Sequence, residues 1–122
     1  SKVIYLFRHR FGDNEPVVTV ATYLPYDKCA FLMDHDFEKE SLYDCMSSHK
    51  DTTIYGARRT VEAIEADSDD VKFLGIRKGA PVQLVHTVGF SDTDTPLEYS
   101  IARYRGDMSK FQITVYVNPD NK

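Results

Sequence analysis

The chain has 122 residues, of which 42% are hydrophobic and 28% charged, ordinary values for one globular domain with its own core. Its formal net charge of −4 argues against direct binding of nucleic acid, because nucleic-acid-binding domains normally carry a basic surface. No apolar run reaches the length of a membrane span and the N-terminus lacks a signal-peptide pattern, so we expect no membrane association and a cytoplasmic location.

Two segments at opposite ends of the chain, residues 4–25 and 82–105, share one pattern. Each has a β-rich run, a polar turn, a proline that opens the return strand, and a second β-rich run. Proline suits the first residue of a strand because it cannot donate to the ladder, and Asp, Asn and Gly suit the turn. The pattern predicts two related hairpins in a pseudo-symmetric sheet, with a ligand cleft between the halves. The alternative is two unrelated hairpins with similar turns.

The remaining periodicity places the other elements. In chain order it predicts strands over 2–11 and 16–24, a short helix over 26–33, a helix over 41–48, a strand over 52–64 interrupted at Gly56, a short helix from 67 or 68 to 74, and strands over 81–90, 97–105 and 110–117. Because strands dominate and their links are short or helical, we predict an α+β fold with a largely antiparallel sheet and flanking helices.

The last predicted strand alternates apolar and polar residues, and residues 118–122 follow it as a polar tail. Its inward-facing side chains would be Phe111, Ile113, Val115 and Val117. The helices carry end signals as well. Ser41 with Asp44 resembles a capping box, the acidic group at 67–70 favours a helix N-terminus, and Gly75 stops that helix.

The cysteines and histidines indicate no metal site. Cys29 and Cys45 lie in predicted helical segments and are expected to be free thiols. No Cys/His spacing matches a metal motif, and the four histidines form no visible pair. His86 shares a strand face with apolar residues and is expected in the core.

The sharpest local signal is a pair of arginines, Arg8 and Arg10, which project from one face of the first strand. Two adjacent guanidinium groups repel each other unless an anion neutralises them, and their forked geometry matches phosphate or carboxylate. They predict an anion clamp at the end of the sheet. The alternative is a solvated strand end.

Two further groups of residues offer polar contacts. Ser41 is first of all a helix N-cap, but a helix N-terminus also binds phosphate, and Tyr43 adds a phenol in the first turn. On the second-last predicted strand, one face carries a carboxylate, a hydroxyl and a phenol that could meet sugar hydroxyls: Glu98, Ser100 and Tyr104. The alternative for that face is an exposed edge. Arg103 and Arg105 point the other way and are expected to be structural or solvated.

The chain contains no nucleophile elbow, glycine-rich phosphate loop or HExxH motif, so nothing requires an enzymatic function. A series of short motifs, in order over nearly the whole chain, instead resembles the UTRA domain, the effector-binding domain of GntR-family transcriptional regulators of the HutC type. The matching stretches are Arg8-His9-Arg10, Asn14-Glu15-Pro16-Val17, Tyr23-Leu24-Pro25, Ser41-Leu42-Tyr43, Val61-Glu62-Ala63, Leu74-Gly75, Lys78-Gly79-Ala80-Pro81-Val82, Pro96-Leu97-Glu98-Tyr99-Ser100 and Tyr104-Arg105-Gly106-Asp107 with Phe111.

The resemblance implies a chorismate-lyase-like fold over residues 1–122, with duplicated hairpins and a ligand cleft. It also implies a homodimer whose winged helix-turn-helix domain, outside this chain, binds operator DNA, while a small metabolite in the cleft alters DNA affinity. A short segment that usually precedes the arginine-containing strand would be missing here. No cofactor or metal is implied.

In family members that sense amino-sugar phosphates, the matching positions have defined roles. The resemblance assigns phosphate binding to Arg8, Arg10, Ser41 and Tyr43, and sugar binding to Glu98 and Tyr104. One position departs from the family, since Val20 stands where a glutamate is frequent. An amino-sugar phosphate is therefore less secure than another sugar phosphate or a less polar ligand.

We therefore expect a sensor domain of a bacterial repressor that binds an anionic metabolite. The sequence leaves two alternatives to this interpretation. One is an enzyme with a chorismate-lyase-like fold, and the other is a domain that only dimerises.

Overall fold

A five-stranded antiparallel sheet organises the fold in the computed structural model, which describes residues 2–117. The elements are β1 (Val3–Gly12), β2 (Glu15–Pro25), α1 (Tyr26–Cys29), a 3-10 segment (Ala30–Asp34), α2 (Leu42–Met46), a 3-10 turn (Lys50–Thr52), β3 (Gly56–Glu65), α3 (Ser68–Leu74), β4 (Pro81–Phe90) and β5 (Pro96–Arg105). The predicted α+β class with a largely antiparallel sheet is confirmed.

The strand order β1-β2-β5-β4-β3 places the two predicted hairpins side by side, with β2 paired to β5. The central pair is Ala21 and Ile101, and each lies five residues after the proline in the opening part of its strand. The hairpins are thus related by an approximate two-fold axis between these residues, as the repeated pattern predicted. Their common origin stays a prediction.

The first hairpin turns through Asp13 and Asn14, whose φ angles are 51° and 67°. Two central residues with positive φ are typical of a type I′ turn, whose twist matches that of the flanking strands. Asn and Asp tolerate this left-handed conformation better than other non-glycine residues. The turn sequence therefore sets the pairing next to the turn, and a bulge between Arg10 and Phe11 shifts the register of the rest of the hairpin by one residue.

The apolar core lies at one end of the sheet, beneath α1, the following 3-10 segment and α2. Its buried members come from both the helical segments and the strands: Leu24, Cys29, Leu32, Phe37, Leu42, Met46 and Leu97. This packing fixes α2 against one face of the sheet, beside the β1 arginines.

On the opposite face, α3 covers part of β1 and β2, and its end signals match their predictions. Asp67 and Asp70 form a capping box, and Gly75 ends the helix with a φ of 67°. Asp70 also pairs with Arg103 through Nε–Oδ1 and Nη2–Oδ2 contacts of 2.8 Å each. The burial of this carboxyl opposes its ionisation, but the hydrogen bonds from Arg103 and the Asp67 backbone hold the pKa of Asp70 below its usual value.

The arginines on the outer face of β5 are structural, as predicted. Arg103 ties β5 to α3, and Arg105 pairs with Asp107 in the following turn. The two cysteines are free thiols, also as predicted. Within residues 2–117, no helix is both long enough and apolar enough to cross a membrane.

Three sequence predictions are wrong. Residues 110–117 form no strand, and their apolar side chains are exposed. Both sides of β5 already pair with β2 and β4, and residues 110–117 pair with neither edge strand, β1 or β3. Residues 52–55 precede β3 rather than belong to it. His86 is half-buried beside Tyr99 rather than in the core, because it lies on the sheet face that α3 covers only in part. The predicted tail at 118–122 lies outside the described residues.

Candidate functional site

A cavity of about 460 Å³ opens on the sheet face next to α2. All six residues predicted as ligand-binding line it: Arg8, Arg10, Ser41, Tyr43, Glu98 and Tyr104. Antiparallel pairing explains the convergence, because directly opposed residues point to the same face, and Arg8, Val20 and Ala102 are opposed in turn across three strands. The pocket therefore spans the junction between the two hairpins.

A chain of hydrogen bonds crosses the cavity floor from β1 to α2. Nη2 of Arg8 donates to Oγ1 of Thr22 over 2.9 Å, and Thr22 Oγ1 lies 2.7 Å from Oγ of Ser100. Ser100 donates its single hydroxyl proton to Oε2 of Glu98 over 2.5 Å. Thr22 must then donate to Ser100, since a hydroxyl has one proton. The floor is thus a directed chain that ends on a carboxylate.

Tyr43 completes this chain from the helix side. Its hydroxyl donates to Oε1 of Glu98 over 2.5 Å, so each oxygen of the buried carboxylate accepts one hydrogen bond from a hydroxyl group. Burial and the hydrogen bond to Glu98 raise the pKa of Tyr43 to about 12. The phenol therefore remains a proton donor throughout the physiological pH range.

The surroundings of Arg8 oppose the charge of its guanidinium. Burial lowers the pKa of its guanidinium below the usual value for arginine, and the charge of Arg10 lowers it further. Its Nε is buried and has no hydrogen-bond partner among the described residues. A buried N–H donor without a partner is energetically costly, so a movement of this side chain that gave the atom an acceptor would be favourable.

Arg10 and Ser41 occupy the rim. Nη2 of Arg10 donates to the backbone oxygen of Phe37 over 2.8 Å, which ties β1 to the loop before α2. Ser41 is the N-cap of α2, as predicted, and its Oγ accepts from the Asp44 N–H over a long 3.4 Å. The helix has only five residues, which is shorter than the predicted 41–48.

Gly89 allows the Glu98 carboxylate to lie where it does. A Cβ atom at Gly89 would be 2.5 Å from Oε1 of Glu98 and 3.0 Å from Cδ1 of Ile54. The close approach of β4 to this side chain therefore requires glycine at this position.

Among the lining residues that sequence reasoning did not assign to the site are Arg59, Thr87 and Phe111. Arg59 and Thr87 face each other across β3 and β4, with Nε of Arg59 donating to Thr87 Oγ1 over 3.3 Å. Phe111 covers the Tyr104 ring edge-on, with the centroids 5.5 Å apart. Strand alternation places Arg59 on one face of β3, but no local signal showed that this face was the one with the cavity.

The charge of the cavity opposes that of the chain. Three arginines and one glutamate line it, whereas the whole chain has a formal net charge of −4. The volume is within the range of small-molecule sites, and the polar groups converge on one space. Fold and cavity together define a small α+β domain with a positively charged, metabolite-sized pocket.

The family of the chain follows from comparison with known proteins. Residues 1–110 match the family model of the UTRA domain. This chain belongs to the UTRA domain family.

Among relatives, the HTH-type transcriptional regulator GmuR of Bacillus subtilis is 35% identical over 114 residues, which cover 93% of this chain and 47% of GmuR. A probable fructoselysine utilization operon transcriptional repressor of Escherichia coli is 23% identical over 100 residues, covering 82% of this chain and 41% of the repressor. The chain thus spans about half the length of the curated relatives it matches.

The solved ligand-binding domain of a GntR-family transcriptional regulator from Bordetella bronchiseptica has the same fold. It superposes with a TM-score of 0.83 at 20% identity, covering 93% of this chain and 74% of that one. The two curated relatives are named as a transcriptional regulator and a transcriptional repressor, and the chain itself is a UTRA domain.

Proposed function

We propose that this chain is the sensor domain of a cytoplasmic bacterial repressor of the HutC subfamily and that it binds a sugar phosphate. The observation that carries the proposal is the presence of three arginines, Arg8, Arg10 and Arg59, in the lining of one cavity. A phosphate can accept from several guanidinium N–H groups at once, and it offsets the repulsion between Arg8 and Arg10.

The cavity divides into two parts in this proposal. Arg8 and Arg10, with Ser41 and Tyr43 at the start of α2, bind the phosphate. The anion is held chiefly by the arginines, because a five-residue helix contributes little dipole. Arg59 is a third cation on the β3 side of the same space.

Glu98 and Tyr104 bind the sugar in this arrangement. Both oxygens of Glu98 already accept one hydrogen bond, but a carboxylate oxygen has a second lone pair for a sugar hydroxyl. Val20 lines the cavity directly opposite Arg8 in the β1–β2 register. With an apolar side chain there, the phosphate of a sugar without an amino group is favoured over an amino-sugar phosphate.

The coupling to transcription is a population shift. A ligand changes operator affinity only if it binds one arrangement of the protein more tightly, and such coupling is typically about 1–3 kcal/mol. Operator DNA is bound by a fused winged helix-turn-helix domain, not by this acidic chain. One relative is named as the repressor of a fructoselysine utilization operon, which supports a carbohydrate-derived effector.

A homodimer is part of the proposal, because operator-binding domains of this kind need two-fold symmetry. An exposed aromatic row supports it on the sheet face away from the cavity. Tyr5, Tyr23 and Tyr99 lie on three adjacent strands, with ring centroids 5.2 and 6.3 Å apart along the row. Tyr23→Lys would shift the protein towards monomer in size-exclusion chromatography with light scattering, whereas Tyr55→Lys, at an exposed loop position, would not.

A thermal-shift screen against sugar phosphates, the matching free sugars and chorismate tests the ligand class. Ligand at a hundred times its dissociation constant adds about 2.7 kcal/mol to the free energy of unfolding. We expect a shift with a phosphorylated sugar and none with its free sugar. A shift only with chorismate, together with turnover of chorismate, would identify an enzyme. No shift with any compound would favour a domain that only dimerises.

A further inference from the structure

Three side chains of different chemistry converge just outside the cavity, where the chain leads into α2. His35 follows the 3-10 segment, Glu40 lies two residues before α2, and Cys45 lies within α2. Nδ1 of His35 is 3.1 Å from Oε1 of Glu40, and Sγ of Cys45 is 3.6 Å from His35 Nδ1 and 3.8 Å from Glu40 Oε1. The spacing along the chain matches no common metal motif, so only the folded structure reveals the cluster.

These separations are close to the edges of a metal-centred tetrahedron. Zinc binds sulfur at about 2.3 Å and imidazole nitrogen or carboxylate oxygen at about 2.0–2.2 Å. Tetrahedral angles then place nitrogen and oxygen about 3.4 Å apart, and sulfur about 3.6 Å from either. Each observed distance differs from these values by only a few tenths of an ångström. Small side-chain rotations would therefore bring all three atoms to one cation.

The backbone preorganises the cluster. The N–H groups of Lys39 and Glu40 both bond to the Asp36 carbonyl, and the Asp36 N–H donates to Oε2 of Glu40 over 3.1 Å. Phe37 is buried in the core and anchors the loop between His35 and Glu40. The three donors are thus held by a tight turn and a helix rather than by chance contact of flexible side chains.

We propose that His35, Glu40 and Cys45 form a zinc-binding site with three protein ligands and a fourth position for water. An imidazole, a carboxylate and a thiolate are the ligand types that zinc prefers, and three protein ligands leave one tetrahedral position open.

The site would also control the geometry of the effector cavity, a part of the inference that rests on the proposed function. Glu40 directly precedes Ser41, and Cys45 lies two residues after Tyr43 on α2. The backbone oxygen of Phe37, inside the same loop, accepts from Arg10. A cation that links 35, 40 and 45 would hold the loop and helix that present Ser41 and Tyr43 to the cavity.

Cobalt titration of the metal-free, reduced protein tests the site without any effector. We expect one Co²⁺ per chain, with a thiolate-to-cobalt charge-transfer band and tetrahedral d–d bands that Zn²⁺ abolishes. Cys45→Ala and His35→Gln should lose the charge-transfer band, while Cys29→Ala and His49→Gln should keep it. Circular dichroism shows whether each variant is folded. Glu40→Gln is a third variant that removes a proposed ligand, and because the Glu40 side chain is exposed, the change does not alter the core. Absence of the band in the folded wild-type protein, or its survival in Cys45→Ala, would overturn the site.

Hydrogen–deuterium exchange with and without Zn²⁺ tests the link to the cavity. We expect slower exchange of the backbone amides in residues 35–46 of the wild type and no change in Cys45→Ala. Cobalt binding without that slowing would overturn the link and leave the metal site standing. Neither measurement uses a sugar phosphate, so failure of the metal-site inference can be distinguished from failure of the sugar-phosphate proposal.

Discussion

The phenol of Tyr43 donates a 2.5 Å hydrogen bond to Oε1 of Glu98, and this contact joins α2 to the central strand β5 across the cavity. The same carboxylate accepts from Ser100, so Glu98 joins the helix to the hydrogen-bond chain that begins at Arg8. A ligand that displaces the phenol would thus move α2 relative to the sheet. This hydrogen bond therefore links the Glu98 side of the cavity directly to α2.

Loss of the Tyr43 hydroxyl should destabilise the protein. Tyr43→Phe leaves Oε1 of a buried carboxylate without its donor, which costs on the order of 1–3 kcal/mol. Urea denaturation of Tyr43→Phe, Glu98→Gln and the double variant would measure their coupling free energy. Tyr55→Phe is the control, since Tyr55 is exposed in a loop. Additive effects of the two changes would contradict a direct energetic link.

Removal of the Arg8 guanidinium should abolish stabilisation by a sugar phosphate while leaving the fold intact. Arg8→Ala deletes a half-buried cation and should weaken binding by about 2–5 kcal/mol, the range for breaking a buried charge pair. Isothermal titration calorimetry against the best sugar phosphate measures the change. Arg58→Ala is a matched control. Arg58 is exposed and precedes the cavity residue Arg59 on β3, so its side chain points to the face of the sheet away from the cavity. Unchanged affinity in Arg8→Ala would refute the anion clamp.

The Asp70–Arg103 pair should make stability depend on acid pH. The folded-state pKa of Asp70 is below its usual 3.8, so its contribution is present above about pH 4 and is lost as pH falls through the folded-state value. Asp70→Asn should cost on the order of 3 kcal/mol at pH 7, and this deficit relative to wild type should shrink below pH 4. Denaturant titrations from pH 7 to pH 3 give the profile.

Asp69→Asn serves as the control for that series. Asp69 is exposed in the same helical turn, and it forms no hydrogen bond to Arg103 in the described structure. Its variant should follow the wild-type pH profile. If Asp70→Asn and Asp69→Asn behaved alike, the buried ion pair would not be the cause.

Addition of one methyl group at Gly89 should disturb the site. In Gly89→Ala the new Cβ would lie 2.5 Å from Oε1 of Glu98, so the carboxylate must move, which should disturb its hydrogen bond to Tyr43. We expect a loss of about 1–3 kcal/mol in the free energy of unfolding and weaker effector binding. In a Glu98→Ala background the same change should cost less. An equal cost in both backgrounds would place the clash at Ile54 instead.

Local sequence patterns predicted much of the fold and the six lining residues. Alternation set the faces of the strands, so Arg8 and Arg10 were predicted to share one face. Ser41 and Asp67 marked where two helices begin, because their side chains can accept hydrogen bonds from backbone N–H groups in the first helical turn. The assignment of Glu98 and Tyr104 to one site with Arg8 came from the family resemblance, since spacing alone did not join the two hairpins.

The sequence by itself determined what depends on neighbours a few residues apart: strand alternation, turn conformation, helix capping and the pairing of arginines on one face. Only the tertiary structure decided what depends on distant pairing. Thr22 and Ser100, 78 positions apart, meet because β2 pairs with β5 in one register. Residues 110–117 have a strand pattern but form no strand, because a strand also needs backbone hydrogen bonds to a neighbour, and this segment pairs with neither edge strand of the sheet, β1 or β3.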